Sequence, residues 1–209
     1  VIRAVICDDH AIVRRGLRQI LTESGSVEVI AEVGSYAELH HVLRPGAAFV
    51  LLLDIELPGK NGMEILELVH KEYPKVSVLM LSLYPEDQYA VRALRSGAMG
   101  YLNKNSAPEK LLEAVRQVAA GRKYISAEVS MILADRITES APDAPHEGLS
   151  NREFQVLKLI ASGKRLSEIA DALAISPKTV SVYRARVIEK LGVANNVEIS
   201  HYAVKHGLT

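Results

Sequence analysis

Two adjacent acids, Asp8 and Asp9, close the apolar stretch Val5-Ile6-Cys7, and a third, Asp54, closes the continuous apolar run Phe49–Leu53. Ser82 ends another apolar stretch, Val76–Leu81, and Lys104 lies just after Met99–Leu102. An open parallel α/β sheet binds its ligands beyond the carboxyl ends of its strands. If these stretches are such strands, and the first and third are neighbours, the three carboxylates converge. Three negative charges within a few ångströms repel strongly and need a cation. Hard oxygen ligands suit Mg2+, which keeps part of its water shell. A metal, a lysine ammonium and a serine hydroxyl around one carboxylate make a phosphoryl-transfer site, in which Asp54 attacks while Ser82 and Lys104 stabilise the transferring oxygens.

The hydrophobic periodicity supplies elements that place these residues in this way. Val1–Cys7 reads as a buried strand, followed by Ile12, Val13, Leu17, Ile20 and Leu21 on one helical face. Val27–Val33, Phe49–Leu53, Val76–Leu81 and Met99–Leu102 read as further strands. Tyr36–Leu43, Gly62–Tyr73, Glu86–Ser96 and Pro108–Ala120 read as the helices between and after them, the last two stopped by Gly97 and Gly121. This alternation predicts an α/β fold with a five-stranded, doubly wound parallel sheet covered on both faces. Tyr124–Ile137 reads as one further helix, and residues 138–148, with two prolines and no periodicity, as a linker. The remainder is helical. Ser150 with Glu153 is a capping box, Leu166–Leu173 a second helix, Ser176-Pro177 the start of a third that runs through Leu191, and Val197–Lys205 a fourth. On that last helix, Ile199, Tyr202 and Ala203 are either core or a dimer contact.

Composition limits the alternatives. The 209 residues are 48% hydrophobic and 24% charged, which suits a globular chain of two domains rather than a disordered one. The longest apolar run, Ala47–Leu53, is far short of the roughly 20 residues of a membrane span. Val1–Ile6 runs into Asp8 and Asp9 without the apolar core of a signal peptide, and the one cysteine, Cys7, rules out an intrachain disulfide, so a cytoplasmic location is expected. Net charge is zero, yet residues 1–148 carry −4 and residues 149–209 carry +4, which points to two modules with different partners.

Asp8-Asp9-His10, Leu53-Asp54, Leu57-Pro58-Gly59, Gly62, Ser82, Gly100-Tyr101 and Lys104 together resemble the receiver domain of two-component response regulators, over about residues 1–121. The resemblance implies a flavodoxin-like sheet and a role for each residue. Asp54 accepts a phosphoryl group from a histidine kinase. Asp9 and Asp54 ligate Mg2+, Asp8 acts mainly through water, and Glu56 supplies its backbone carbonyl. Ser82 and Lys104 bind the phosphoryl oxygens, and Tyr101 moves inward as Ser82 shifts. The side chain of Glu56 is an unusual second carboxylate beside the site. His10, within the pattern that continues to Arg14, Gly16 and Leu17, and His40-His41 are not expected to join the metal set, and Cys7 is expected in the core.

Residues 149–209, with Leu149-Ser150, Arg152-Glu153, Glu168-Ile169-Ala170, Ile175-Ser176, Lys178-Thr179-Val180 and Lys190-Leu191, look like the LuxR-type helix-turn-helix. The whole chain is similar to a NarL/FixJ-type response regulator: a receiver at 1–121, a linker helix and flexible linker at 122–148, and a DNA-binding domain at 149–209. Pro177–Lys190 is then the helix that enters the major groove. Lys178 and Thr179 suit phosphate contacts, Ser181 suits a phosphate or base, Val182 and Ala185 suit thymine methyls, and Arg184 and Arg186 flank that face. Ser181, Tyr183 and Arg165-Leu166 depart from residues common in the family. The resemblance implies a phosphorylation-dependent transcription factor that is not a turnover enzyme, though it promotes gain and loss of its own phosphoryl group. Its partners would be double-stranded DNA, a second copy when phosphorylated, and RNA polymerase, with no membrane. The alternatives are a Mg2+-dependent aspartyl phosphohydrolase, for which only Glu56 is placed as general acid, and a phosphate-independent DNA-binding protein with a vestigial receiver.

Overall fold

Four successive residues of the first strand, Ala4 to Cys7, are wholly buried, as a central strand covered on both faces requires. In the computed structural model, which describes residues 1–138 and 144–208, that strand is β1 (Ile2–Cys7). With β2 (Val27–Val33), β3 (Phe49–Asp54), β4 (Val76–Ser82) and β5 (Gly100–Asn103) it forms a parallel sheet of order β2-β1-β3-β4-β5. The order turns back between β1 and β3, so the switch point lies between the strand ends that carry Asp8 and Asp54. The register fixes this closely, since Cys7 pairs with Leu53, Asp54 with Leu81, and Ser82 with Asn103.

The helices α1 (Ala11–Glu23), α2 (Tyr36–Val42), α3 (Gly62–Glu72), α4 (Glu86–Arg95) and α5 (Pro108–Ala119) follow the strands in turn. Alternate strand residues Ala4, Ile6, Val50, Leu52, Leu79 and Leu81 form one core layer with Leu111, Val115 and Val118 of α5. The β3–α3 connection folds back so tightly that a Cβ on Gly62 would stand 1.9 Å from the Asp54 carbonyl oxygen, while the Gly62 amide donates to the Ile55 carbonyl at 2.8 Å. Only glycine fits there. Asn61 caps α3 in a reciprocal capping box with Glu64.

The predicted helix over Tyr124–Ile137 begins later. Tyr124 instead donates its amide to the Met99 carbonyl at 2.8 Å and forms a parallel bridge to Gly100, where it extends the sheet edge and is buried. The helix, α6, runs Ala127–Thr138 and packs against α4, with Val129 buried, so the segment read as a linker helix lies within the first of two compact units. Of the flexible linker, residues 139–143 lie outside the described residues, and Pro145–Gly148 forms a short 3-10 turn.

The second unit holds α7 (Asn151–Ala161), α8 (Leu166–Leu173), α9 (Pro177–Leu191) and α10 (Asn196–Lys205). Ser150 and Glu153 cap α7 reciprocally, and Ser176 accepts the Thr179 amide at 3.1 Å to start α9 behind Pro177. Phe154, Leu157, Ile169, Val180, Val187, Ile199 and Ala203 make its core. Ile199 and Ala203 are therefore packed inside this unit rather than offered to a second copy. The turn between α8 and α9 passes through Ala174 at φ 52°, the one non-glycine residue with positive φ among the described residues.

Candidate functional site

The edge where β1, β3, β4 and β5 end gathers all five residues expected there. Asp8 and Asp54 are buried, and the Lys104 ammonium lies between them, 2.6 Å from Asp8 Oδ2 and 2.7 Å from Asp54 Oδ2. Among the described residues neither oxygen has a hydrogen-bond donor beyond that ion pair. Burial, with the charge of Asp8 adding to it, pushes the Asp54 carboxyl up to about 6 even though Lys104 and the Glu56 backbone pull it down. Burial opposes the charge of Lys104 as well, but the two carboxylates outweigh it and raise its pKa. The site is thus short of positive charge. Ligand atoms of Asp8, Asp9, His10 and Asp54 all lie within 4.8 Å of one another, which suits a small divalent cation. A mainly carboxylate donor set with two anionic oxygens otherwise bound to one ammonium fits Mg2+.

His10 joins this cluster, contrary to the expectation from sequence. Its amide donates to Asp8 Oδ1 at 2.8 Å, and its ring Nδ1 lies 2.7 Å from Asp9 Oδ1. A side chain that turns back onto the amide two residues on is a local Asp-turn that only geometry reveals. Arg14 Nη1 donates to the Asp8 carbonyl at 2.5 Å and fixes the turn from below.

Ser82 is buried, and its Oγ accepts the Tyr84 amide at 3.0 Å. Tyr101 is turned inward, 1% exposed, with its hydroxyl donating to the Tyr84 carbonyl at 3.0 Å. The Glu56 side chain accepts a hydrogen bond from the Tyr84 hydroxyl, whose pKa is raised by burial and then by Glu56 itself. Tyr84 also stacks on Tyr89 at 5.0 Å. Tyr84 and Asn103 were not singled out in the sequence. Their one signal is position, two residues after Ser82 and one before Lys104. Cys7 is buried in the core as expected, and burial pushes its thiol up to about 12.

In the second unit, Lys178, Ser181, Val182, Ala185 and Arg186 are exposed on α9, while Val180, Val187 and Leu191 face inward. At 100° per residue, Lys178, Ser181, Val182 and Ala185 share one face. Thr179 is half-buried, and its hydroxyl pairs with Ser176 at 2.8 Å, while Ser181 donates to the Pro177 carbonyl at 3.0 Å. Arg184 departs from the exposed face, because its Nε lies 2.5 Å from Asn196 Oδ1 at the start of α10. Lys190, at the other end of α9, pairs with the buried Glu153 at 2.7 Å and donates to the Gly148 carbonyl at 3.1 Å. No helix among the described residues is long and apolar enough to cross a membrane.

Residues 4–116 match the family model for the response regulator receiver domain, and residues 147–203 match that of the bacterial regulatory proteins of the luxR family. The chain belongs to the two-component response regulators. Within that family it is of the NarL/FixJ type, a transcription regulator with a receiver and a LuxR-type DNA-binding domain. It is 33% identical over 208 residues to the response regulator UvrY of Escherichia coli, covering 99% of this chain and 95% of that one. The response regulator GacA of Pseudomonas aeruginosa is 33% identical over 208 residues, covering 99% and 97%. Among solved structures, RcsB of Salmonella enterica serovar Typhimurium, bound to promoter rprA in the presence of the phosphomimetic BeF3−, superposes with a TM-score of 0.69 at 27% identity, covering 96% of this response regulator and 97% of RcsB.

Proposed function

We propose that this response regulator takes a phosphoryl group on Asp54 from a histidine kinase and binds DNA more tightly as a result, through a receiver at 1–121 and a DNA-binding module at 149–209. The observation that carries the reading is Lys104, held by two buried carboxylates at 2.6 and 2.7 Å. A buried ammonium in that position neutralises the acids at rest and is at hand for an incoming phosphoryl oxygen. Asp54 Oδ attacks phosphorus in line, the phosphorus–nitrogen bond of the donor breaks, and the donor imidazole leaves with the electron pair and takes up a proton. An acyl phosphate on Asp54 results. Asp8, Asp9, Asp54 and the backbone carbonyl of Glu56 would hold Mg2+, which supplies charge neutralisation for the transferring oxygens when bound. Ser82 turns its hydroxyl from the Tyr84 amide to the phosphoryl group, and Tyr101 responds through the carbonyl of the same residue. The same groups let the chain promote its own phosphorylation from small donors and the later hydrolysis.

In the DNA-binding module, Lys178 and Thr179 contact phosphates and Ser181, Val182 and Ala185 face base edges, with Arg186 at one flank. Arg184, tied to Asn196, reaches DNA only if that pair opens. Pairing of two phosphorylated copies places two recognition helices on a two-fold site, and the similar RcsB, which binds DNA as dimers, supports this arrangement. Contact with RNA polymerase and a cytoplasmic location belong to the same reading. The hydrolase alternative is less supported, since Glu56, its one available acid, is engaged by the Tyr84 hydroxyl. Incubation with Mg2+ and acetyl phosphate tests the chemistry. A base-labile label is expected on the wild-type chain and is absent from Asp54→Asn, and equal labelling of both would overturn the assignment.

A further inference from the structure

Three consecutive carbonyls, from the last residue of β4 onward, are taken by donors from Asn103, which ends β5, and from Lys104 next to it. The Ser82 carbonyl accepts the Lys104 amide at 2.8 Å. The Leu83 and Tyr84 carbonyls accept Asn103 Nδ2 at 3.4 and 3.2 Å. The Tyr84 carbonyl accepts the Tyr101 hydroxyl as well, at 3.0 Å, so the two donors share its two lone pairs. The orientation of the Asn103 amide is dictated by its other end, because Oδ1 accepts the Asn105 amide at 2.9 Å and Nδ2 must then face the loop.

The residue between these contacts is joined at both ends. The Tyr84 amide holds Ser82 Oγ at 3.0 Å, and the Tyr84 carbonyl holds Tyr101 and Asn103. Ser82 cannot turn its hydroxyl fully onto Asp54 without releasing the Tyr84 amide, and the Tyr84 carbonyl cannot move without straining both of its donors. A movement at Ser82 therefore reaches Tyr101 through one residue, Tyr84, whose far side is anchored by Asn103.

We propose that Asn103 is a positioning residue for the phosphorylation switch. It clamps the β4–α4 loop to the strand end that carries Lys104, and so sets how readily the loop, and with it Tyr101, leaves the arrangement seen here. The proposal rests on Asp54 as the phosphoacceptor. It adds that the bias of the switch is set by a side chain that touches neither phosphoryl group nor metal.

Asn103→Asp tests the clamp with almost unchanged shape. It keeps the acceptor for Asn105 but turns an oxygen, in place of Nδ2, onto two carbonyls. Asn103→Ala removes the donor without adding charge. In the full chain, amide exchange at Tyr84 and Lys104 is expected to rise about tenfold in both variants, as loss of two hydrogen bonds of ordinary net strength implies. Exchange at Leu52 and Leu79 in the strand core stays as in wild type. In chains with 13C-labelled tyrosine rings, the Tyr101 signal of wild type should move on treatment with acetyl phosphate and Mg2+, whereas in both variants it should be displaced before treatment and move less. Wild-type exchange at Tyr84 together with a wild-type Tyr101 response would overturn the clamp. So would exchange that rises equally across the sheet, which marks a merely structural role. Failure of wild type itself to label on Asp54 would instead overturn the phosphoacceptor reading, and the switch role with it, while the exchange data would still decide whether Asn103 holds the loop.

Discussion

Replacing Asp54 by asparagine probes the electrostatics of the acidic site with no phosphodonor present. Burial, helped by Asp8, holds the Asp54 carboxyl at about 6 against an ordinary 3.8. The folded chain therefore binds this proton more readily than the unfolded chain, and stability falls as pH rises through that interval. Near neutral pH the ionised group costs about 3 kcal/mol, at about 1.36 kcal/mol per pKa unit. Asparagine removes that net cost, in which the attraction of Lys104 is already counted. In EDTA at pH 7.5, Asp54→Asn should thus be more stable than wild type by about 3 kcal/mol. At pH 5 the ionisation cost has dropped to about half, and the advantage should fall with it to about 1.5 kcal/mol. Six of the eight tyrosines lie in the first unit, so urea unfolding followed by near-ultraviolet circular dichroism reports mainly on it. An Asp54→Asn chain less stable than wild type at pH 7.5, or an advantage of equal size at both pH values, would refute the electrostatic account.

Mg2+ at about ten times its dissociation constant should stabilise the wild-type first unit by about 1.4 kcal/mol and Asp54→Asn by much less, as unfolding in titrated Mg2+ would reveal. Gly62→Ala should displace the Asp54 backbone, because its Cβ would stand 1.9 Å from the Asp54 carbonyl oxygen; acyl-phosphate yield from acetyl phosphate should collapse, and a normal yield would contradict the close approach. Ala174→Gly should stabilise the second unit by about 0.5–1 kcal/mol, since alanine at φ 52° bears a left-handed strain that glycine does not. Lys178→Ala should weaken binding to all DNA sequences and lower the slope of log affinity against log salt by about 0.9, whereas Arg184→Ala should leave that slope unchanged if Arg184 stays with Asn196.

The sheet was legible because its strands are short apolar runs that end in residues of another kind. Asp54 closes β3 and Ser82 closes β4, so placing the strands placed the site. Side-chain partners set by the return path of the chain were not legible. Asn196 lies twelve positions beyond Arg184 across the α9–α10 turn, and no periodicity connects them. Asn103 fell just past the strand read over Met99–Leu102 and drew no reading, since its role depends on which way one amide faces. Tyr124 looked helical by its apolar neighbours, but a single parallel bridge to Gly100 has no period to detect. His10 joined the acids through a turn in which backbone and side chain of adjacent residues meet, a geometry shared by many harmless loops.

Control of DNA binding by phosphorylation requires a link between the Asp54 carboxylate and the exposed face of α9. The most direct test is the affinity of the full chain for a DNA site chosen by selection with the phosphorylated protein, measured by fluorescence anisotropy at fixed salt, with and without acetyl phosphate and Mg2+, for wild type and Asp54→Asn. Phosphodonor is expected to tighten binding by wild type and to leave Asp54→Asn at the untreated level. Equal affinity of wild type in both conditions, with the label confirmed on Asp54, would contradict control by phosphorylation.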